Sequence, residues 1–264
     1  MNIRYVIKTT SLSNFKVINL LNDFDFSMRY LLPLNQGEIM KYEELEKLVL
    51  QEESRFYIDF WKPYIELEKM FLETEKYVAI SDKNKRTYSM QYNILLQVIC
   101  AEIDIVIKKL CFEYDDKTNV ENMTDYLSVI TKHDPNIKNS VVSLAIYDMK
   151  IFPWKNIGFI KTNGLERIIV PYWWDGYLKL KHNRLIFTLN AEEFKILERN
   201  IQQANQKNVL GALAGLFTLE NKCLNKMRER LLKKFKQEGL YSFEITNRFN
   251  DSIFQETFET TTCF

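Results

Sequence analysis

Leu95-Leu96-Gln97-Val98-Ile99-Cys100-Ala101-Glu102-Ile103-Asp104-Ile105-Val106-Ile107-Lys108-Lys109-Leu110 is the most strongly apolar run in the chain. Its apolar residues recur at helical spacing and cover almost the whole circumference, which predicts a central buried helix over about residues 89–114. Thr87 or Ser89 supplies a hydroxyl to cap it. Glu102 and Asp104 interrupt the run, and a carboxylate inside such a helix needs a cation or backbone donors. Arg184 or a lysine is the expected partner of Glu102, which makes Glu102 a supporting residue rather than a base.

Outward from this helix, more helical stripes appear. Tyr42, Leu45, Leu48 and Val49 form one, and Phe56, Phe60, Tyr64, Leu67, Phe71 and Tyr77 form another, with a kink or fresh start expected at Pro63. A short helix is expected over Met123 to Ile130, ending before the turn His133-Asp134-Pro135-Asn136. A long one runs from about Asn205 to Lys234, where Gly211, Ala212, Ala214 and Gly215 would admit a close neighbour. Val141, Val142, Leu144, Ile146 and Ile151 are the one convincing strand or hairpin candidate. In residues 1–40, Val17-Ile18, Leu20-Leu21 and Phe24 are helical in spacing.

With 7 Gly and 5 Pro among 264 residues, turn-dense sandwiches and barrels are disfavoured and long helices favoured. The expected fold is mainly α, with a small β-hairpin near 140–152. The expected organisation is an N-terminal helical extension (1–50), a helical domain (51–235) and a C-terminal tail packed on it (236–264).

Lys plus Arg number 36 against 35 Asp plus Glu, so the chain is not basic throughout and any nucleic-acid contact must come from a local patch. Four cysteines without a CxxC pair and two histidines give no recognisable metal site, and no cofactor is expected. Cys100, Cys111 and Cys223 read as apolar fillers in a reducing compartment. No secretory signal or apolar membrane-spanning run is evident, so a cytoplasmic location without membrane contact is expected. Phosphate-cradling glycine loops, GxSxG, HExxH and EF-hand loops are absent, which disfavours most NTPases, serine hydrolases and zincins.

The segment that carries chemistry is Tyr172-Trp173-Trp174-Asp175-Gly176-Tyr177-Leu178-Lys179-Leu180-Lys181-His182-Asn183-Arg184. As a helix it would place Asp175, Lys179 and His182 on one stripe and Tyr177, Lys181 and Arg184 on the next. The indoles would anchor it. An imidazole beside several cations suits RNA phosphodiester cleavage. His182 would move the proton of the 2′-hydroxyl or of the leaving oxygen, Arg184 and Lys181 would hold the phosphate, and Asp175 would balance the cations. Lys179 and Tyr177 would contact the RNA. The bland alternative is a solvated helix end whose cations complement the helix dipole.

The Trp-Trp, Tyr, Lys-His, Arg pattern, the apolar helix from Ala204-Asn205 through Leu219-Glu220, and Cys100-Ala101-Glu102-Ile103-Asp104 together resemble the HEPN superfamily over roughly residues 54–235. That resemblance implies an antiparallel all-α bundle, a homodimer with a composite cleft, and a metal-independent endoribonuclease in prokaryotic (anti-phage or toxin-like) defence. It also admits an inactive module that binds RNA or a partner protein. Active members carry an Arg four to six residues before the His; here Leu178, Tyr177 and Gly176 stand there. Either Arg184 or Lys181 replaces that Arg, or the domain only binds.

Overall fold

Ser89 starts the central helix: its side-chain oxygen accepts a hydrogen bond from the Tyr92 amide at 3.1 Å, satisfying an amide that the helix itself cannot. This computed structural model describes residues 36–162, 165–190, 195–237, 252 and 254–257, together with the strands in 2–7, 17–21 and 29–30. The strands are β1 (Asn2–Ile7), β2 (Val17–Leu21) and β3 (Arg29–Tyr30). Then come helix α1 (Gln36–Phe56), α2 (Lys62–Glu73), α3 (Met90–Tyr114) and α4 (Met123–His133). Strands β4 (Val141–Leu144), β5 (Met149–Ile151), β6 (Gly158–Thr162) and β7 (Leu165–Ile169) precede helix α5 (Tyr172–Asn183). Strands β8 (Phe187–Asn190) and β9 (Lys195–Arg199), the long helix α6 (Gln206–Gln237) and β10 (Phe254–Thr257) complete the order. The protein is mainly helical with small sheets.

The chain clusters into two compact units, residues 1–59 with 224–251 and residues 60–223 with 252–264. Two of the divisions fall in the π-helical turn Tyr57–Trp61 and inside α6, between Cys223 and Leu224.

In the first unit β1 pairs antiparallel with β2 and parallel with β3. This corrects the helical reading of Val17–Leu21. Apolar pairs at i, i+1, i+3 and i+4 fit either geometry, and a β-branched partner segment within reach decides for the sheet. Along α1 and the end of α6, the buried Glu53 and Arg228 meet at 3.3 Å and the more exposed Glu52 and Arg230 at 3.2 Å.

The second unit is built on α3, which buries Leu95, Leu96, Ile99, Ile103, Val106 and Ile107 completely. Trp61 from the π-helical turn, Tyr64 and Phe71 from α2 and Val209, Leu213 and Leu216 from α6 complete this apolar centre, all fully buried. Pro63 sits in the first turn of α2, where its missing amide proton costs nothing. Asn122 caps α4 in a reciprocal capping box with Asp125. The ring of His133, the last residue of α4, stacks on Tyr114 with centroids 5.2 Å apart.

Five strands of the second unit go beyond the expected single hairpin. The predicted pair β4–β5 is present, but β10 adds to its open edge antiparallel, Phe254 opposite Leu144. β6 with β7 and β8 with β9 form two further hairpins.

The circumference of α3 also departs from expectation. Met90, Ile94, Val98, Ala101, Ile105 and Phe112 form one exposed stripe, with Met90 at 60% and Ile105 at 55% exposure. Its members pair eleven residues apart (Met90 with Ala101, Ile94 with Ile105, Ala101 with Phe112), so the stripe runs straight along about 33 Å of helix.

Candidate functional site

Helix α5 is fixed at its base by indoles. Trp173 is fully buried, its Nε1–H donates to the Pro153 carbonyl at 2.8 Å, and its ring meets Trp154 edge-on at 5.3 Å. Trp174 packs at 5.0 Å against Tyr177. The glycines of α6 explain the closeness of this seam. A Cβ on Gly211 would lie 2.6 Å from Tyr172 Cζ, and one on Gly215 would lie 3.0 Å from the Trp173 ring. The neighbour that the small residues of α6 admit is therefore α5.

The other end of α5 is tied down through its backbone. The Asn183 carbonyl accepts from the Ile186 amide at 2.9 Å and from Asn200 Nδ2 at 2.7 Å, which satisfies an acceptor left over at the helix end. Between base and tip the two predicted stripes are present. Lys179 pairs with Asp175 at 2.8 Å, and Lys181 lies 5.5 Å from the centre of the Tyr177 ring. Both ion-pair partners are substantially exposed, so the pair orders the surface while adding about 0–1 kcal/mol.

Lys181, His182, Asn183 and Arg184 are all exposed. Among the described residues no carboxylate pairs with Lys181, His182 or Arg184, and no hydrogen bond orients the imidazole. Leu185 and Ile186 follow at 92% and 57% exposure. The tip is thus a short, cationic, solvent-facing turn on a rigid base, with Asp175 already engaged by Lys179. Chemically it can bind polyanions through Lys181 and Arg184, and His182 is open to any group brought to it.

Glu102 does not pair with Arg184 or a lysine among the described residues. It lies half-buried on α3 near Glu220 of α6, and burial holds its carboxyl above the ordinary value. Glu220 is fully buried and neither of its side-chain oxygens has a hydrogen-bond partner. Burial first, and the nearby Glu102 second, push it well above the usual carboxylate range. Glu68 accepts from Ser252 Oγ at 2.7 Å and shares its carboxylate with the Tyr64 hydroxyl, whose own ionisation is pushed up by burial and by Glu68. An acid-rich core between α2, α3 and α6 is the feature that reading the sequence missed. Its linear traces are Glu102 and Glu220, each standing inside an apolar helix.

Cys100, Cys111 and Cys223 are free and buried, with their thiols pushed up by burial, that of Cys111 to about 12. Among the described residues no cluster of His, Cys, Asp and Glu is placed to hold a metal ion, and no helix is long and apolar enough to cross a membrane. Comparison with protein-family models, with curated proteins and with solved structures finds no match to this chain.

Proposed function

We propose that this chain is a HEPN-like helical module that binds single-stranded RNA with the last turn of α5. The observation that carries the reading is the unpaired state of Lys181 and Arg184 on a tip whose base is locked by Trp173 and whose end is held by Asn200. Fixed cations lose little side-chain freedom on meeting a phosphate, and Arg184 can engage one bidentately. Tyr177, beside Lys181, offers a ring for a base to stack on.

Cleavage by His182 is the second reading. Among the described residues of a single copy nothing orients the imidazole, so catalysis on this reading draws on the facing surface of a second copy, as in the composite clefts of HEPN dimers. The exposed stripe of α3 favours it, because an apolar helix face this long is suited to association. We assign that stripe to the homodimer contact.

Anisotropy titration of a labelled single-stranded RNA across salt concentrations tests the first reading. Three contacts, from Lys179, Lys181 and Arg184, predict a log–log salt slope of about −2, since each contact on a single strand contributes about −0.7. A Lys181→Ala/Arg184→Ala protein should lose about two-thirds of that slope, and His182→Ala should keep it. An unchanged slope in the double variant refutes the reading. Shortened RNA with wild type, but not with His182→Ala, establishes the nuclease.

A further inference from the structure

A cavity of about 720 Å³ lies in the second unit, on the side of α5 opposite its tip, where the first turn of that helix meets β5, the end of β7 and the start of α6. The size is in the range of small-molecule sites, about 300–1,000 Å³. Two kinds of surface line it. Ile151, Ile168, Val170 and Leu210 are apolar, and Phe152 and Tyr172 add rings. The remainder is cationic: Lys85, Lys150, Lys155 and Lys207 border the same space, with Asp175 as the one acid in the lining.

Two of these lysines, Lys155 and Lys207, have no compensating carboxylate among the described residues. Asp175 is held by Lys179, outside the lining, and Lys85 is paired with the exposed Asp82 at 2.7 Å. Each of the two ammonium groups lies over a ring of the lining, Lys155 at 5.5 Å from Phe152 and Lys207 at 4.9 Å from Tyr172. Burial keeps Tyr172 a neutral phenol, so the rings add no negative charge.

The walls are fixed. Lys207 belongs to a helix start whose amides are already satisfied: Gln206 by the Thr87 carbonyl, Lys207 by the Lys85 carbonyl, and Asn208 by Asn205 Oδ1, all at 3.0 Å. Backbone amides of α6 are therefore not the anion donors here; the side chains are. On the opposite wall Asn156 adopts a left-handed backbone with φ of 70°, and it closes the turn that presents Phe152 and Lys155. Asn tolerates that conformation better than most residues.

We propose that this cavity binds a small phosphomonoester carrying a flat apolar body. Lys155 and Lys207 would take the phosphate, two cations against its two negative charges, while the body lies among Ile151, Ile168 and Leu210 and against Tyr172. Lys155 and Lys207 are both exposed, so a purely apolar ligand makes no use of their charge, and a bare inorganic anion leaves the apolar wall wet. The site stands apart from the RNA-binding reading, because none of these lysines belongs to the last turn of α5.

Isothermal titration calorimetry of the full chain with phenyl phosphate, AMP, adenosine and inorganic phosphate tests it. Phenyl phosphate and AMP report whether an aryl group or a nucleoside supplies the body. At least one of them should bind, at least tenfold tighter than inorganic phosphate, and adenosine should bind at least tenfold more weakly than AMP if AMP is the ligand. Lys155→Gln and Lys207→Gln should each weaken binding about tenfold, as loss of one charge-assisted contact does. Lys181→Ala/Arg184→Ala should leave it unchanged, which separates this site from the tip of α5. Absence of binding by both phosphomonoesters at millimolar concentration, or binding that survives Lys155→Gln/Lys207→Gln in a protein with wild-type circular dichroism, overturns the proposal.

Discussion

Replacing Glu220 by Gln asks whether the core holds a neutral carboxyl. Glu220 is fully buried, its oxygens meet no donor, and Glu102 lies close enough to disfavour a second charge. Its folded pKa is therefore raised well above the ordinary 4.5. Below that ordinary value folded and unfolded chains both carry the proton, and the site contributes its full stability. Above it the unfolded chain releases the proton while the folded one keeps it, so stability falls by about 1.4 kcal/mol per pH unit until the folded carboxyl also ionises. Gln preserves shape and helix propensity and cannot titrate. Tyr64 and Cys223 lie near the position in both proteins with their ionisation pushed up, so they stay neutral and cancel in the comparison. Urea unfolding at roughly pH 5, 6 and 7 should show the variant gaining on wild type as the pH rises, by up to about 1.4 kcal/mol per unit. Parallel stability curves would refute the neutral carboxyl and require a cation or donor beside Glu220.

Gly211→Ala drives a methyl into the buried Tyr172 ring, and the strain of about 1–3 kcal/mol exceeds the helix-propensity gain of up to about 1 kcal/mol. Thermal unfolding should show a loss larger than that of Gly215→Ala, whose new atom would stand 3.0 Å from Trp173. Ile94→Asp/Ile105→Asp charges the exposed stripe of α3 without touching the core. Sedimentation velocity should show wild-type dimers turned to monomers with unchanged helix content; a wild-type monomer at every concentration refutes the assignment of that face.

Much of the helical frame could be read from residue spacing. Periodicity located α1, α2, α3, α4 and α6 because each has an apolar face that must be buried, and the segment considered as a helix forms α5 with its Asp175–Lys179 and Tyr177–Lys181 neighbours. Strands fared worse. The pair β6–β7 flanks Asn163-Gly164, a dipeptide that signals a hairpin, but the second strand is hidden in the sequence because its apolar end runs directly into α5. Asn163 and Gly164 themselves lie outside the described residues, as do Cys263 and most of the expected tail. Partners far apart in sequence were illegible for a physical reason. Lys85, Lys155 and Lys207 share one cavity only because three separate elements converge, and no linear spacing encodes that. Glu102 misled because a half-buried acid suggests a cation, whereas here a second acid lies across the helix seam.

The addition of β10 to β4 has a consequence for how the protein is made. Phe254 lies opposite Leu144, and Ser252 donates to Glu68, so elements laid down early wait for a strand made more than a hundred residues later. At about 5–20 residues per second a ribosome needs roughly 6–20 s to cover that distance. During this interval the edge of β4 is an open template for strands of other nascent chains, and a chaperone that shields it would raise the yield of native protein.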